Sequence, residues 1–326
     1  MISIVICSAR PALLDALRQN VEDTIGTPYE IIAIDNTDNR YGICAAYNAG
    51  GAKAQYPYIC FMHEDISFAT PNWGRLVIGL LSEKKTGLLG IAGGDAKSLI
   101  PSSWSSCMIS NEINIFQHYR STGQAPEHRL VTGPPAPAAK KRVVALDGVW
   151  LCTRKEIFSQ YKFDEVNFPG FHGYDIDYSL QLVQKYELYV VFDILIHHFS
   201  EGKPDRTWMN SARRVSRKWR HALPLSIYDA PDYHQHHWRS MQIFLEHLLR
   251  LGYNYPTLLM SWMTWSFNRY FSLRRFGSMG KYIFLGMRQR LPLLIWLLLI
   301  GLGHACKKTH AGETKMLINS PSFTIT

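Results

Sequence analysis

Over residues 2–94, four short and continuously apolar runs alternate with helix-like segments. The runs are ISIVIC (2–7), EIIAID (30–35), YICFMHED (58–65) and GLLGIAGG (87–94). Between them lie PALLDALRQNVEDTI (11–25), GICAAYNAGGAKA (42–54) and NWGRLVIGLLSE (72–83), the first with Pro11 suited to an opening helical turn. Strands covered on both faces read as unbroken apolar runs, and strands alternating with helices predict a parallel α/β sheet. Ligands in such sheets bind beyond the carboxyl ends of the strands. The polar residues collect there: Ser8, then Asp35 and Asn36, then His63, Glu64 and Asp65. A solvated turn would draw on Gly, Asn, Ser or Pro, so three adjacent ionisable groups point to a binding function.

Further along, residues 121–142 are rich in Pro, Ala and Gly and read as a long flexible loop. RVVALDGVWLCTRKEIF then predicts a strand leading into a helix over 154–160. Another helix opens near Asp175, and LYVVFDILIHHFS (188–200) reads as a strand ending in His197 and His198. Beyond Ser200 the pattern is helical, basic and aromatic, which divides the chain into 1–204 and 205–326. Residues 1–199 carry 17 Lys and Arg against 20 Asp and Glu, a net of −3; residues 200–310 carry 17 against 5, a net of +12. Such asymmetry suggests an anionic partner for the C-terminal part. The 6 cysteines are scattered without a C-x-x-C pair, which argues against a zinc ribbon or disulfide framework and fits a reducing compartment. The first residues lack the basic start of a secretory leader, so the expected location is the cytosol or the cytosolic face of a membrane.

No P-loop, G-x-G-x-x-G turn or G-x-S-x-G elbow is present. What is present resembles a family 2-type glycosyltransferase. The resemblance rests on the order and spacing of ISIVICSARP, YEIIAIDNTDN, YGICAAYNAGGAKAQYPYICFMHEDISF, LDGVWLCTRKEIF and FHGYDIDYSLQL, over about residues 1–200. It implies the GT-A fold, a Rossmann-like nucleotide-sugar-binding mixed sheet with helices on both faces, here followed by a helical C-terminal region. It also implies a donor site for a nucleotide sugar (a UDP-sugar foremost) that draws on Ser8, Asp35, Asn36, Asn48 and Asp147. For Asp35 and Asp147 the alternative is an ordinary turn or cap.

The same resemblance makes His63-Glu64-Asp65 a variant of the family's D-x-D strand end, with His63 where the first Asp usually stands. Asp65 and His63, with His198 from the last strand, would then hold a divalent cation, Mn²⁺ or Mg²⁺; imidazole favours Mn²⁺. A core histidine is the alternative for either His. In an extended strand His63 and Asp65 share a side and Glu64 points away, a bystander. Asp175 is implied as the general base of an inverting transfer, and Asp177 as an acceptor contact or helix cap. The rivals are a nucleotidyltransferase of similar fold and a non-catalytic saccharide-binding scaffold.

In the C-terminal part, Trp and Phe stand among Leu and Met at helical spacing, so nucleic acid is not an expected partner. The 16 residues Leu291–Cys306 carry no formal charge and have basic flanks. As a helix they would reach about 24 Å, short of a hydrocarbon core of roughly 30 Å. A short span or an in-plane anchor is expected, consistent with a saccharide or lipid-linked acceptor at the membrane surface.

Overall fold

The structure is a computed structural model that describes residues 1–105, 111–119, 123–133, 139–202, 204–228 and 233–288. The chain begins β1 (Ile2–Ser8), α1 (Pro11–Thr24), β2 (Tyr29–Asp35), α2 (Ile43–Lys53), β3 (Tyr58–Met62), β4 (Ile66–Phe68) and α3 (Trp73–Leu81). It continues through β5 (Thr86–Gly90), β6 (Ala92–Gly94), β7 (Ala96–Lys97), β8 (Asn111–Gln117), β9 (Glu127–Val131), β10 (Lys140–Val143), β11 (Ala145–Leu146) and β12 (Trp150–Arg154). Then come α4 (Lys155–Gln160), α5 (Tyr174–Leu182), β13 (Glu187–Val191), β14 (Ile196–His198), α6 (Arg206–Lys218) and β15 (Leu225–Ser226). The helices α7 (Tyr233–Arg250), α8 (Tyr255–Ser266) and α9 (Leu273–Arg288) follow.

The main sheet is seven-stranded and mixed, in the order β10-β13-β5-β12-β3-β1-β2. β1 lies between β2 and β3, parallel to both, and β12 runs antiparallel between β3 and β5. Alternation along β1 splits the core. Ile2, Ile4 and Ile6 pack on the α1 and α3 side, while Val5 packs on the side of α2 and α5. α2 lies close to the sheet because Gly50 has no side chain; a Cβ there would sit 2.3 Å from Val5 Cγ1. This is the α/β architecture with both faces covered that the sequence predicts.

Several expected strands are two strands. GLLGIAGG passes at Ile91 from β5 in the main sheet to β6 in a second sheet, whose order is β11-β6-β8-β14-β4, with β9 on β8. Residues 188–200 divide likewise into β13 and β14, one in each sheet. Burial explains why the breaks were hidden: residues 86–94 are buried throughout, so the apolar run continues across the change of sheet. YICFMHED also ends as a strand at Met62, and His63–Asp65 form the bend into β4. The expected loop at 121–142 contains β9 and the start of β10; its residues 121–122 and 134–138 lie outside the described residues.

The cysteine reading is corrected at one pair. Cys60 and Cys152 face each other across β3 and β12 and form a disulfide. The two are 92 residues apart, and only strand register brings them together.

The expected division near residue 204 is not a break in packing. Met209, Val215, Trp238, Met241 and Phe244 belong to the same apolar core as Val5, Phe61 and Leu180. No helix among the described residues is long and apolar enough to cross a membrane. The stretch Leu291–Cys306 lies outside the described residues.

Candidate active site

Beyond the carboxyl ends of β1, β2 and β3 lies a cavity of about 790 Å³. His63 and Asp65 from the β3–β4 bend, His198 from β14, Asp147 after β11 and Asp175 in the first turn of α5 all line it. The antiparallel pairing of β14 with β4 sets His198 opposite Ile66, and Phe199 N–H donates to Asp65 O at 2.9 Å.

His63, Asp65 and His198 form one compact group, each offering a ligand atom within 4.8 Å of the others. Asp65 Oδ1 lies 4.0 Å from His63 Nδ1 and 3.9 Å from His198 Nε2. The hydrogen bonds behind the two imidazoles decide which nitrogen carries a lone pair inward. Tyr174 O–H donates its only proton to Gly148 O at 2.9 Å, so His63 Nε2–H must be the donor in its 2.9 Å bond to Tyr174 Oη. That leaves the His63 Nδ1 lone pair toward Asp65. Gln117 donates its amide N–H groups to the carbonyls of His118, His198 and Ser200, so its Oε1 is the acceptor toward His198 Nδ1 at 3.3 Å. His198 Nε2 is the nitrogen on the Asp65 side, 3.3 Å from Ser200 Oγ. Burial lowers the His63 pKa, outweighing the opposing charge of Asp65, so the ring is held neutral, as ligation requires. Burial pushes the Asp65 carboxyl up, but His63, a hydrogen bond from Ser200, His198 and Arg10 outweigh it and leave it ionised. Two imidazole nitrogens and one carboxylate fit a divalent cation such as Mn²⁺.

Gly148 has a steric role here. A Cβ at that position would meet Tyr174 Oη at 2.0 Å and break the contact that orients His63.

Glu64 is corrected from bystander to clasp. It does point away from His63 and Asp65, but it is buried and fully engaged. Its Oε2 accepts from Ser8 Oγ at 2.7 Å and from the N–H groups of Ala9 and Arg10 at 3.1 Å each. Its Oε1 accepts from Arg10 Nε at 3.1 Å, and Arg10 Nη2 reaches on to Asp65 Oδ2 at 3.3 Å. Glu64 thus ties the turn after β1 to the cation-competent bend.

Asp175 stands on the other side of the cavity. Burial first, and the charge of Asp147 second, raise its carboxyl to about 7, against the backbone N–H groups that favour the anion. Asp147 is fixed by Trp104 Nε1 and by Val149 N–H. Asn36 lines the cavity and closes the loop to Tyr41 with two hydrogen bonds. Asp35 is exposed at the end of β2 and accepts from Thr37. Ser8 is buried beneath Glu64.

Neither Ser8 nor Asp35 lines the cavity, and two further expected donor or acceptor contacts sit elsewhere. Asn48 does not line the cavity; its amide bridges the backbone of Phe163 on both sides and so joins α2 to the segment before α5. Asp177 is buried on the far side of α5. It accepts from Lys218 Nζ at 2.7 Å, from Trp219 Nε1 at 2.8 Å and from Gln181. Both reassignments have the same cause: the deciding partners, Phe163 for Asn48 and Lys218 and Trp219 for Asp177, lie 41 or more residues away in sequence.

Other cavity residues carried no signal in the sequence. Ser102, Ser103 and Trp104 form a wall with no periodic pattern, and Trp208 and His247 reach the cavity from α6 and α7. Tyr174 was legible only as the neighbour of Asp175.

A family model described as "Glycosyltransferase like family" matches residues 3–219, more than half of the chain. The chain belongs to that family. Among solved structures it is similar to GalNAc-T7 crystallised with UDP, GalNAc and Mn²⁺, at 14% identity and a TM-score of 0.48. That likeness covers 67% of this chain and 48% of the other, so the chain spans about half that protein's length. No curated protein matches the chain in sequence.

Proposed function

We propose that this protein moves a sugar from a nucleotide diphosphate sugar, a UDP-sugar foremost, to a saccharide or lipid-linked saccharide acceptor, with inversion at the anomeric carbon. One observation carries the reading: a single cavity holds a cation-competent His63-Asp65-His198 group and, apart from it, the Asp175 carboxyl, raised to about 7 by burial and by Asp147. A divalent cation held by the three residues would supply positive charge to a departing diphosphate. Asp175 takes the proton from the acceptor hydroxyl as that oxygen attacks. A base works best with a pKa near the operating pH, and burial beside Asp147 brings Asp175 there. Asp147, oriented by Trp104 and Val149, would hold donor hydroxyls. Asn36, at the mouth of β2, faces the space expected for the nucleoside. A role in surface polysaccharide assembly at the cytosolic face of a membrane extends the same reading.

The test is a thermal-shift series of nucleoside diphosphates with and without Mn²⁺, followed by hydrolysis of nucleotide sugars without acceptor. Stabilisation by UDP only when Mn²⁺ is present, with slow release of free sugar, is the expected result. Nucleotide binding with no sugar release under any acceptor condition would favour the non-catalytic scaffold. Pyrophosphate release from a nucleoside triphosphate and sugar phosphate would favour the nucleotidyltransferase.

A further inference from the structure

The helical hairpin of α8 and α9 breaks the usual rule for a surface helix. Residues Tyr255–Phe267 contain no Asp, Glu, Lys or Arg. One side of α8 packs inward through Leu258, Ser261 and Trp265. The other side is also apolar and open: Leu259, Met260, Met263 and Phe267 are exposed, Met260 to 64%. A helix on a water-facing surface normally turns polar residues outward, and one that is apolar all round is covered on both sides. Among the described residues nothing covers this side.

The tip of the hairpin adds charge to the pattern. FNRYFSLRR (267–275) interleaves exposed Phe267, Phe271 and Leu273 with Arg269, Arg274 and Arg275. Phe267 and Phe271 stack with ring centres 5.1 Å apart, and Phe276 lies within 5.7 Å of both, so the aromatic tip has a fixed shape. The arginines have no carboxylate partner within ion-pair distance among the described residues. Residues 251–288 hold five Lys and Arg and no Asp or Glu at all. α8 and α9 meet closely, with Trp262 stacked on Phe276 and Gly280 making room for the indole, so the hairpin is a built unit.

We propose that the outer face of α8 and the tip 267–275 form a membrane-seating surface. The apolar side chains enter the headgroup–acyl boundary of an anionic bilayer, and the arginines take its phosphates. The chemistry selects this occupant. Exposed Phe, Leu and Met beside unpaired guanidinium groups match a surface that is apolar inside and anionic outside. In sequence, α9 leads directly to the uncharged stretch Leu291–Cys306, which extends the same preference. The inference deepens the membrane-surface part of the proposed function, yet it rests on residues that do not line the cavity and needs nothing from the sugar chemistry.

The experiment is co-sedimentation of the full chain with vesicles of phosphatidylcholine alone and with added phosphatidylglycerol. Wild type should bind the mixed vesicles more tightly. Each Lys or Arg near an anionic surface contributes about 1 kcal/mol, so R274A/R275A should weaken binding to mixed vesicles about 30-fold and barely change binding to phosphatidylcholine. M260Q/L273Q changes two highly exposed side chains, does not threaten the fold and should weaken binding to both kinds of vesicle. UDP with Mn²⁺ should stabilise both variants as it does wild type, which separates this test from that of the catalytic reading. Wild-type binding by both variants would overturn the proposal and move the contact beyond residue 288. So would a wild type that binds neither vesicle. Lipid-free self-association abolished by M260Q/L273Q, with lipid binding unchanged, would reassign the face to a second copy of the chain.

Discussion

At and behind the cavity, acidic groups are clasped: Glu64 by Ser8 and the turn to Arg10, Asp147 by Trp104 and Val149, and, on the far side of α5, Asp177 by Lys218 and Trp219. On the α8–α9 hairpin the arrangement is reversed, with guanidinium groups and phenyl rings both turned outward. The first region holds its charges in fixed positions against the desolvation they suffer, as a site for a small anionic ligand requires. The second leaves its charges hydrated, which preserves them for a partner too large to enclose. Fixed charges give steep responses to single substitutions, whereas hydrated ones give shallow, additive responses.

The steepest response should come from Asp175→Asn, with turnover falling about 10²–10⁴-fold while UDP and Mn²⁺ still stabilise the protein. Steady-state assay beside thermal shift checks both halves, and near-normal turnover would remove Asp175 as the base. Its titration gives a second reading. Activity should rise with pH through about 7. The stability effect runs the other way: the folded state holds a proton that the unfolded state releases near 3.8. The contribution of Asp175 to stability therefore falls as pH rises from about 4 to about 7, then levels off. Asp147→Asn removes a neighbouring negative charge and should move the acid limb of the activity profile to lower pH.

Next in size is Lys218→Met, which leaves Asp177 buried without its cation. With Lys218 partly exposed and Trp219 and Gln181 still donating to Asp177, the loss should stay at or below the value of about 3–5 kcal/mol for a fully buried pair broken from one side, readable as a lower urea midpoint. A loss below about 1 kcal/mol would place Lys218 with the shallow responses of the hairpin. Smaller again are Tyr174→Phe and Gln117→Leu, each of which removes a partner that orients a ligand imidazole. Each should weaken Mn²⁺ binding about 10–100-fold with the fold intact, measured by Mn²⁺ titration of the thermal shift. Unchanged Mn²⁺ dependence would mean that the imidazoles are oriented by packing alone. Smallest is R274A/R275A, expected to change unfolding free energy by no more than about 0.5 kcal/mol despite its effect on vesicles. A large loss of stability there would show that the hairpin arginines are structural after all.

How legible each feature was in the sequence follows the same division. His63 and Asp65 were readable because a two-residue spacing at a strand end survives even when the backbone bends there instead of staying extended. Glu64 was misread because its partners, the turn after β1, lie more than fifty residues away. His198 was readable as a strand end, but its neighbours Asp65 and Gln117 follow from β4–β14 and β14–β8 pairing, which no local pattern announces. Asp175 and Asp177, two apart on a helix, do not share a face, so their separate roles were legible; the fold adds which way each turns, Asp175 to the cavity and Asp177 to α6. In α8, apolar residues at helical spacing read as core on both sides, since hydropathy records a side chain's preference and not whether anything satisfies it.

The Asp177–Lys218–Trp219 clasp also sets what evolution can exchange in this chain. The family match ends at residue 219, the indole that completes the clasp. A recombination crossover before Lys218 would part a buried acid from its counterion, and each half would then need a partner with a matching residue. A crossover after Trp219 keeps that ion pair whole and leaves the later helices free to vary, provided that they still present apolar side chains where Trp238, Met241 and Phe244 now pack. The unit that this clasp holds together therefore runs past β14 to the end of α6, and α7 is bound to it twice over, through the shared core and through His247, which it lends to the cavity.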